Sequence, residues 1–155
     1  MSKVGFIGVG TMGCPMASNI ISKGNDLKFY DPFVLDENKS KLENLGAQYC
    51  TSIKDLLDDM EFVITMLPNG NNVKDVCMGE DGLLKQEKKD YVHIDMSTIL
   101  PADSIAINKE FESHNIKMFD APVARLVNNA IDGTLLILVG GDKDKFDEIK
   151  PLLET

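Results

Sequence analysis

The 155-residue sequence is poor in positive charge, in paired cysteines and in long apolar runs. Its 16 basic residues are outnumbered by 25 acidic ones, and the net charge of −9 argues against binding to nucleic acid or an anionic membrane. Of the 16 basic residues only Arg125 is an arginine. No stretch approaches the roughly 18 apolar residues of a membrane span, and the apolar run at the N-terminus is too short for a signal peptide.

The cysteines and histidines form no recognisable pattern. Cys14, Cys50 and Cys77 are odd in number and lack a CxxC spacing, which argues against a disulfide framework and for a reducing compartment. His93 and His114 share no ligand pattern with them, so we expect no metal site and structural or solvated histidines. We therefore expect a cytoplasmic protein that has neither nucleic acid nor a membrane as a partner.

Apolar, β-branched runs alternate with stretches of helical periodicity. Strands are predicted at 4–9, 27–30, 62–66, 91–94, 117–119 and 135–139, and helices after residue 11 and at 35–45, 53–57, 73–77, 104–111 and 142–154. This alternation predicts an α/β protein with a doubly wound, mainly parallel sheet and helices on both faces. No linker or repeat divides the chain, so residues 1–155 are interpreted as one domain. The last helix has an apolar stripe of Phe146, Ile149 and Leu153, which we expect to be partly uncovered.

A glycine-rich turn follows the first predicted strand. The pattern Gly8-x-Gly10-x-x-Gly13 leads into a helix from about Thr11, as in the first βα turn of a Rossmann dinucleotide-binding domain. There the first glycine permits the tight turn, the second lets a pyrophosphate approach the backbone, and the third lets the helix pack against the strand. The free amides of the helix then hold the phosphates. An ordinary glycine turn is the alternative, but the flanking strand and helix favour dinucleotide binding.

The same fingerprint requires an acidic residue at the end of the second strand, and Asp31 stands there. Its carboxylate would accept hydrogen bonds from the adenosine ribose and repel a 2′-phosphate, so NAD is favoured over NADP. A turn aspartate before Pro32 is the alternative. Ser97 and Thr98 follow the fourth long strand, where they either contact the cofactor or cap the helix that begins near Pro101.

Five segments resemble, in order, the motifs of the β-hydroxyacid dehydrogenase family, and together they cover nearly the whole chain. They are Gly8-Val9-Gly10-Thr11-Met12-Gly13, Thr65-Met66-Leu67-Pro68, Asp95-Met96-Ser97-Thr98, Asp120-Ala121-Pro122-Val123 and Gly133-Thr134-Leu135. The resemblance implies cofactor contacts from Thr11, Met12, Asp31, Leu67 and Thr98, with Thr98 towards the nicotinamide.

The resemblance also implies the reaction. Family members transfer a hydride between the nicotinamide and a small β-hydroxyacid or its semialdehyde, with a lysine as general acid and base. That lysine lies in an all-α C-terminal domain, beyond Thr155, so no catalytic residue is expected within this chain. We expect a dinucleotide-binding domain cut from a longer two-domain enzyme, which binds NAD(H) alone but does not turn over. The longer protein would form homo-oligomers through its C-terminal domain.

The family's substrate motif is altered here. Most members follow Asp-Ala-Pro-Val with Ser-Gly-Gly, whereas this chain has Ala124-Arg125-Leu126, which resembles the members that reduce sulfolactaldehyde. The guanidinium of Arg125 is a planar fork that matches a sulfonate, carboxylate or phosphate, so we expect a small anionic substrate. A surface arginine paired with Asp120 or Asp132 is the alternative. For the whole chain, the alternative is a standalone, non-catalytic dinucleotide-binding module that acts as a sensor or binds a partner.

Overall fold

A six-stranded parallel sheet forms the centre of the protein, in a computed structural model that describes residues 1–88 and 90–155. The strands are β1 (Lys3–Ile7), β2 (Asp26–Tyr30), β3 (Gln48–Tyr49), β4 (Phe62–Thr65), β5 (Val92–Asp95) and β6 (Lys117–Asp120). Their spatial order is β3-β2-β1-β4-β5-β6, and all neighbours are parallel. The order reverses between β1 and β4, which is where an open α/β sheet forms its ligand crevice.

Helices cover both faces of this sheet. They are α1 (Gly13–Ser22), α2 (Asp36–Asn44), α3 (Ile53–Leu57), α4 (Gly70–Met78), α5 (Pro101–Ser113), α6 (Val127–Ile131) and α7 (Phe146–Leu153). Successive residues of β1 point to opposite faces, so Phe6 and Ile7 belong to two different buried apolar clusters. Burial on both faces explains why the strands are largely apolar in sequence, and it confirms the predicted doubly wound α/β fold.

Most predicted elements occur within a few residues of their expected limits, and the differences at the first βα junction have local causes. Strand β1 ends at Ile7 because Gly8 has a φ of +93°, outside the extended region. Helix α1 begins at Gly13 and not at Thr11, since Thr11 and Met12 form a turn ahead of it. Residues 35–45 and 104–111 form α2 and α5 as predicted, and α3 matches its predicted range.

The prediction of a sheet strand at 135–139 was wrong. Only Leu136–Ile137 is extended, as β8, and it pairs antiparallel with β7 (Val123–Ala124) in a separate two-stranded ribbon. Leu136 and Leu138 are 46% and 58% exposed, so this apolar run lines a surface. The stripe on the last helix is partly uncovered, as expected: Ile149 of α7 is fully buried in the sheet-facing core, whereas Phe146 and Leu153 are only partly buried.

Candidate functional site

A cleft of roughly 800 Å³ opens at the carboxyl ends of β1, β2 and β4. Seven of the eight residues expected to contact the cofactor line it, namely Gly8, Gly10, Thr11, Met12, Gly13, Asp31 and Leu67. Thr98 does not line this cleft and lies exposed just after β5. The fold therefore gathers residues from three separate segments of the sequence at the point where the strand order reverses.

The three glycines of the turn meet different surroundings. A Cβ on Gly8 would lie 2.3 Å from the Met66 carbonyl oxygen, and a Cβ on Gly13 would lie 2.0 Å from the Gly8 carbonyl oxygen. Both distances are far below van der Waals contact, so these two positions exclude a side chain. A Cβ on Gly10 would meet no atom within 4 Å, and Gly10 is exposed. The turn is thus packed tightly on two sides and leaves its backbone open at Gly10.

The N-terminus of α1 supplies free backbone donors beside that opening. Cys14 donates the first helical hydrogen bond, to the Gly10 carbonyl at 3.0 Å. The amides of the three residues before it have no acceptor within the helix and lie at its positive end. Among residues 1–88 and 90–155 no lysine or arginine lines the cleft, whereas Asp31, Asp75 and Asp81 do. An anion bound here would be held by backbone amides and not by basic side chains.

The Asp31 carboxylate holds the walls of the cleft together. Its Oδ2 accepts a hydrogen bond from the Val9 amide at 3.0 Å, and its Oδ1 accepts one from the Phe33 amide at 2.8 Å. On the other side of the same peptide segment, Asn38 Nδ2 donates to the Val9 carbonyl at 2.8 Å. Asp31 is therefore a turn aspartate, as the alternative interpretation held. Each carboxylate oxygen still has a second lone pair, so this role leaves acceptors for a ligand's hydroxyl groups.

Ser97 is buried and acts on the loop after β4. Its Oγ accepts a hydrogen bond from the Leu67 amide at 2.9 Å. Helix α5 takes Leu100 as its N-cap residue, with Pro101 in the first turn, so neither Ser97 nor Thr98 caps it. Helix capping is therefore wrong for both residues. Ser97 joins the ends of two neighbouring strands at the edge of the cleft.

His93 lies in the middle of β5 with its side chain fully buried. Its ring stacks on Phe111 with centroids 4.5 Å apart, and Nε2 lies 3.0 Å from the Thr65 hydroxyl. Desolvation by burial lowers the pKa of His93 to about 3, so the ring is neutral at neutral pH. His93 is a structural residue here, whereas His114 is exposed at the C-terminal end of α5.

Arg125 lies exposed between β7 and α6, outside the cleft described above. Its backbone has a φ of +86°, which is uncommon for a residue with a side chain. Nη1 donates to the Thr134 carbonyl at 2.9 Å. Within the part of the chain that the structure describes, the guanidinium forms no ion pair, so the alternative pairing with Asp120 or Asp132 is wrong. The guanidinium is therefore anchored through Nη1, and its other N–H groups remain available as hydrogen-bond donors.

Asn129 organises the segment around Arg125. Its Nδ2 donates to the Thr134 hydroxyl at 3.0 Å, and its Oδ1 accepts from the Leu126 amide at 3.3 Å. The Thr134 amide donates in return to the Asn129 carbonyl at 2.8 Å. No role was predicted for Asn129 from the sequence, although it lies only four residues after Arg125.

Other residues of the cleft were also missed. Tyr30 and Phe33 line it beside Asp31, and Asn72, Asp75 and Val76 line it from α4. Asp75 and Val76 lie three and four residues after Asn72 and so share its face of the helix, which is a signal that the sequence does contain.

The remaining chemistry of the described residues is limited. The three cysteines are free and buried, and burial raises the pKa of the Cys14 thiol beside the glycine turn. Residues 1–88 and 90–155 contain no group of three or more His, Cys, Asp or Glu side chains placed to bind a metal ion. None of the helices in these ranges has the length and apolarity that a membrane crossing requires.

Comparison with known protein families matches residues 3–155 to the NAD binding domain of 6-phosphogluconate dehydrogenase. The chain is 39% identical over 153 residues to 3-sulfolactaldehyde reductase of Escherichia coli K12, covering 99% of this chain and 51% of the relative. It is also 39% identical over 150 residues to human mitochondrial 3-hydroxyisobutyrate dehydrogenase, covering 97% and 44%. The chain thus spans about half the length of the curated relatives it matches.

Solved structures agree with these relatives. Mycobacterium tuberculosis 3-hydroxyisobutyrate dehydrogenase with L-serine superposes with a TM-score of 0.89 at 32% identity, over 99% of this chain and 51% of that one. The structure of Psf3 in complex with NADP+ and 2-OPP gives 0.90 at 26% identity, over 97% and 53%. Because the family match extends over nearly the whole chain, this protein belongs to the family defined by the NAD binding domain of 6-phosphogluconate dehydrogenase.

Proposed function

We propose that this chain is the NAD(H)-binding domain of an oxidoreductase that acts on a small β-hydroxyacid or its semialdehyde. The bound cofactor supplies the hydride acceptor or donor. The observation that carries the proposal is the cleft in which Gly10 leaves the backbone open, while Asp31 directly follows the neighbouring strand β2. Gly8 and Gly13 keep the turn tight, the amides of Thr11, Met12 and Gly13 hold the phosphates, and Leu67 covers the cofactor from the loop after β4.

NAD is the proposed cofactor in preference to NADP. The carboxylate of Asp31 can accept the adenosine ribose hydroxyls, and it would repel a 2′-phosphate placed there. In the described part of the chain no basic side chain lines the cleft to compensate for that repulsion. One structural relative carries NADP+ in its own complex, so the fold by itself accommodates either cofactor, and the local charges decide. Thr98 is assigned to the nicotinamide end by the family resemblance alone.

Titration of the 155-residue chain with NADH and with NADPH tests this assignment. Binding is measured by nicotinamide fluorescence or by calorimetry. We expect saturable binding of NADH and clearly weaker binding of NADPH. Equal affinity for the two cofactors would contradict the role of Asp31. Absence of binding to either would contradict the cofactor assignment as a whole.

For the substrate we propose a small anion held by Arg125. The guanidinium is exposed, is anchored at one nitrogen by the Thr134 carbonyl, and has no carboxylate partner among the described residues. This arrangement leaves a charged fork of donors for a sulfonate, carboxylate or phosphate. The 39% identity to 3-sulfolactaldehyde reductase favours a sulfonate, and the equal identity to 3-hydroxyisobutyrate dehydrogenase keeps carboxylates as the second candidate.

We propose further that residues 1–155 form the cofactor-binding part of a two-domain enzyme, since they match about half of each relative. The other part would supply the lysine that transfers the proton and the surface for a homo-oligomer. The relatives are oxidoreductases, which does not favour a non-catalytic sensor. Because some of them are mitochondrial, the expected cytoplasmic location stays a prediction.

The substrate assignment is tested on the full-length protein, with sulfolactaldehyde, 3-hydroxyisobutyrate and succinic semialdehyde compared as substrates. Arg125→Lys keeps the charge and removes the fork, so we expect the KM for the best substrate to rise about tenfold. Ile131→Ala is the control, because it truncates an exposed apolar side chain of the adjoining helix α6, outside the Ala124-Arg125-Leu126 segment, without changing charge. An unchanged KM in the Arg125→Lys variant would refute the anion role. NADH-dependent aldehyde reduction by residues 1–155 alone would refute the two-domain assignment.

A further inference from the structure

Four buried polar side chains form a connected line below the cleft. His93, Asp95 and Ser97 alternate along β5 and its extension, so all three point to one face of the sheet. Thr65 of β4 lies directly across from Asp95 in the strand register. All four side chains have essentially no exposed surface, although they stand in an otherwise apolar layer.

The hydrogen bonds of this line have a defined direction. The Thr65 hydroxyl donates to Asp95 Oδ1 at 2.8 Å. Because a hydroxyl has one proton, its oxygen can then only accept from His93 Nε2 at 3.0 Å, which places the histidine proton on Nε2. Asp95 Oδ1 also accepts a hydrogen bond from the Ser97 backbone amide at 3.1 Å. The Ser97 oxygen finally accepts the Leu67 amide at 2.9 Å.

The line ends on a segment that touches the glycine turn. Leu67 lines the cleft, and its Cδ2 would lie 2.8 Å from a Cβ on Gly8. The Met66 carbonyl oxygen packs still closer to Gly8, and the Met66 amide donates to the Ile7 carbonyl at 2.9 Å. The position of the loop after β4 therefore determines how closely one wall of the cleft approaches the other.

Stability of the sheet gives no reason for this line of polar groups. Among the described residues, His93 Nδ1 and Asp95 Oδ2 have no hydrogen-bond partner, and such buried atoms are unfavourable for folding. Apolar side chains of similar shape would fill the same layer without that cost.

We propose that His93, Thr65, Asp95 and Ser97 act as a positioning relay, which fixes the Leu67 amide and thereby sets the cleft for the dinucleotide. This inference rests on the proposed cofactor function for its consequence, but its structural part can be tested without any cofactor. Ser97 is the residue that acts on the loop. Asp95, which is held by Thr65 and His93, acts through Ser97 by fixing its backbone amide and so the place of its side chain.

The test combines amide exchange with cofactor titration in the 155-residue chain. In Ser97→Ala the Leu67 amide loses its hydrogen-bond acceptor. We therefore expect the hydrogen exchange of this amide, measured by NMR, to become about tenfold faster, and the Kd for NADH to rise about fivefold. Ser97→Thr keeps the hydroxyl and should restore most of both values. Thr65→Val breaks the line at its centre without changing shape, and it should accelerate exchange at Leu67 about threefold.

Ile107→Val is the matched control, because it removes one buried methylene from α5 on the same side of the sheet and costs comparable stability. It should leave both the Leu67 exchange rate and the Kd at wild-type values once differences in unfolding free energy are accounted for. If Ser97→Ala or Thr65→Val changes Leu67 exchange no more than this control does, the relay is refuted. If the wild-type chain binds no dinucleotide, the proposed function fails, and the exchange rates still decide whether the relay exists.

Discussion

Removal of the Asp31 charge is expected to change cofactor choice. For a doubly charged phosphate about 5 Å from this half-buried carboxylate, Coulomb repulsion in water is about 1.7 kcal/mol, equivalent to about 20-fold in Kd. A ribose hydroxyl loses about 1 to 2 kcal/mol when its acceptor becomes neutral, equivalent to about tenfold. Asp31→Asn should thus weaken NADH binding about tenfold and strengthen NADPH binding about 20-fold.

The quantity to measure is the ratio of the two Kd values, by fluorescence or calorimetry at pH 7.5 and fixed ionic strength. It should shift about 200-fold in favour of NADPH. Asp36→Asn is the matched control, since Asp36 is exposed and does not line the cleft, yet loses the same charge. Urea denaturation of both variants checks that loss of the Val9 contact has not unfolded the turn. A ratio that moves no further in Asp31→Asn than in Asp36→Asn would refute the electrostatic explanation.

Two further predictions concern folding. Gly13→Ala should destabilise the fold by about 3 kcal/mol or more, because its Cβ would lie 2.0 Å from the Gly8 carbonyl oxygen. Gly10→Ala should leave stability nearly unchanged and weaken NADH binding. Denaturation measures the first effect and cofactor titration the second. Equal stabilities of Gly13→Ala and Gly10→Ala would contradict this reasoning. The second prediction rests on the lowered pKa of His93, at about 3. Below the ordinary histidine pKa of about 6.5 only the unfolded chain gains a proton there, so stability is full above pH 6.5 and falls as the pH drops towards 3. We expect the free energy of unfolding to fall by about 2 kcal/mol between pH 7.5 and 5. This fall should be abolished in His93→Gln and retained in His114→Gln. If the stability of His93→Gln depends on pH as that of the wild type does, the prediction is refuted.

Much of the fold was predictable because strands buried on both faces leave an unmistakable pattern. The runs that became β1, β2, β4, β5 and β6 are mostly apolar, with Lys28 and His93 among the exceptions, and each except the last is followed by helical periodicity. The sequence contains no comparable signal for β3, which has two residues, or for α6, which has five. The formation of both elements depends on contacts with residues far away in sequence. The run at 135–139 was misassigned because a surface ribbon and a buried strand have the same apolar composition.

Prediction of the candidate site was limited by the same difference between local and distant information. The glycines and Asp31 follow a spacing rule, so sequence alone locates them. The contact between Ser97 and Leu67 joins residues 30 positions apart, and it depends on the parallel pairing of β4 with β5. The alternation of His93, Asp95 and Ser97 was visible as a polar face, but its partner strand was not.

The small β7–β8 ribbon has a consequence for engineering. It carries Arg125 at the end of β7 and joins the main sheet through the paired backbone groups of Asp120 and Gly140. Leu126, Leu136 and Leu138 are 76%, 46% and 58% exposed, so replacing them removes little buried surface, whereas Leu135 and Ile137 pack against the core. Residues 124–126, Leu136 and Leu138 are therefore the positions to randomise as a library while the dinucleotide cleft is left unchanged. With Arg125 in the proposed anion-binding role, substrate range and cofactor affinity would become separately selectable traits of a single scaffold.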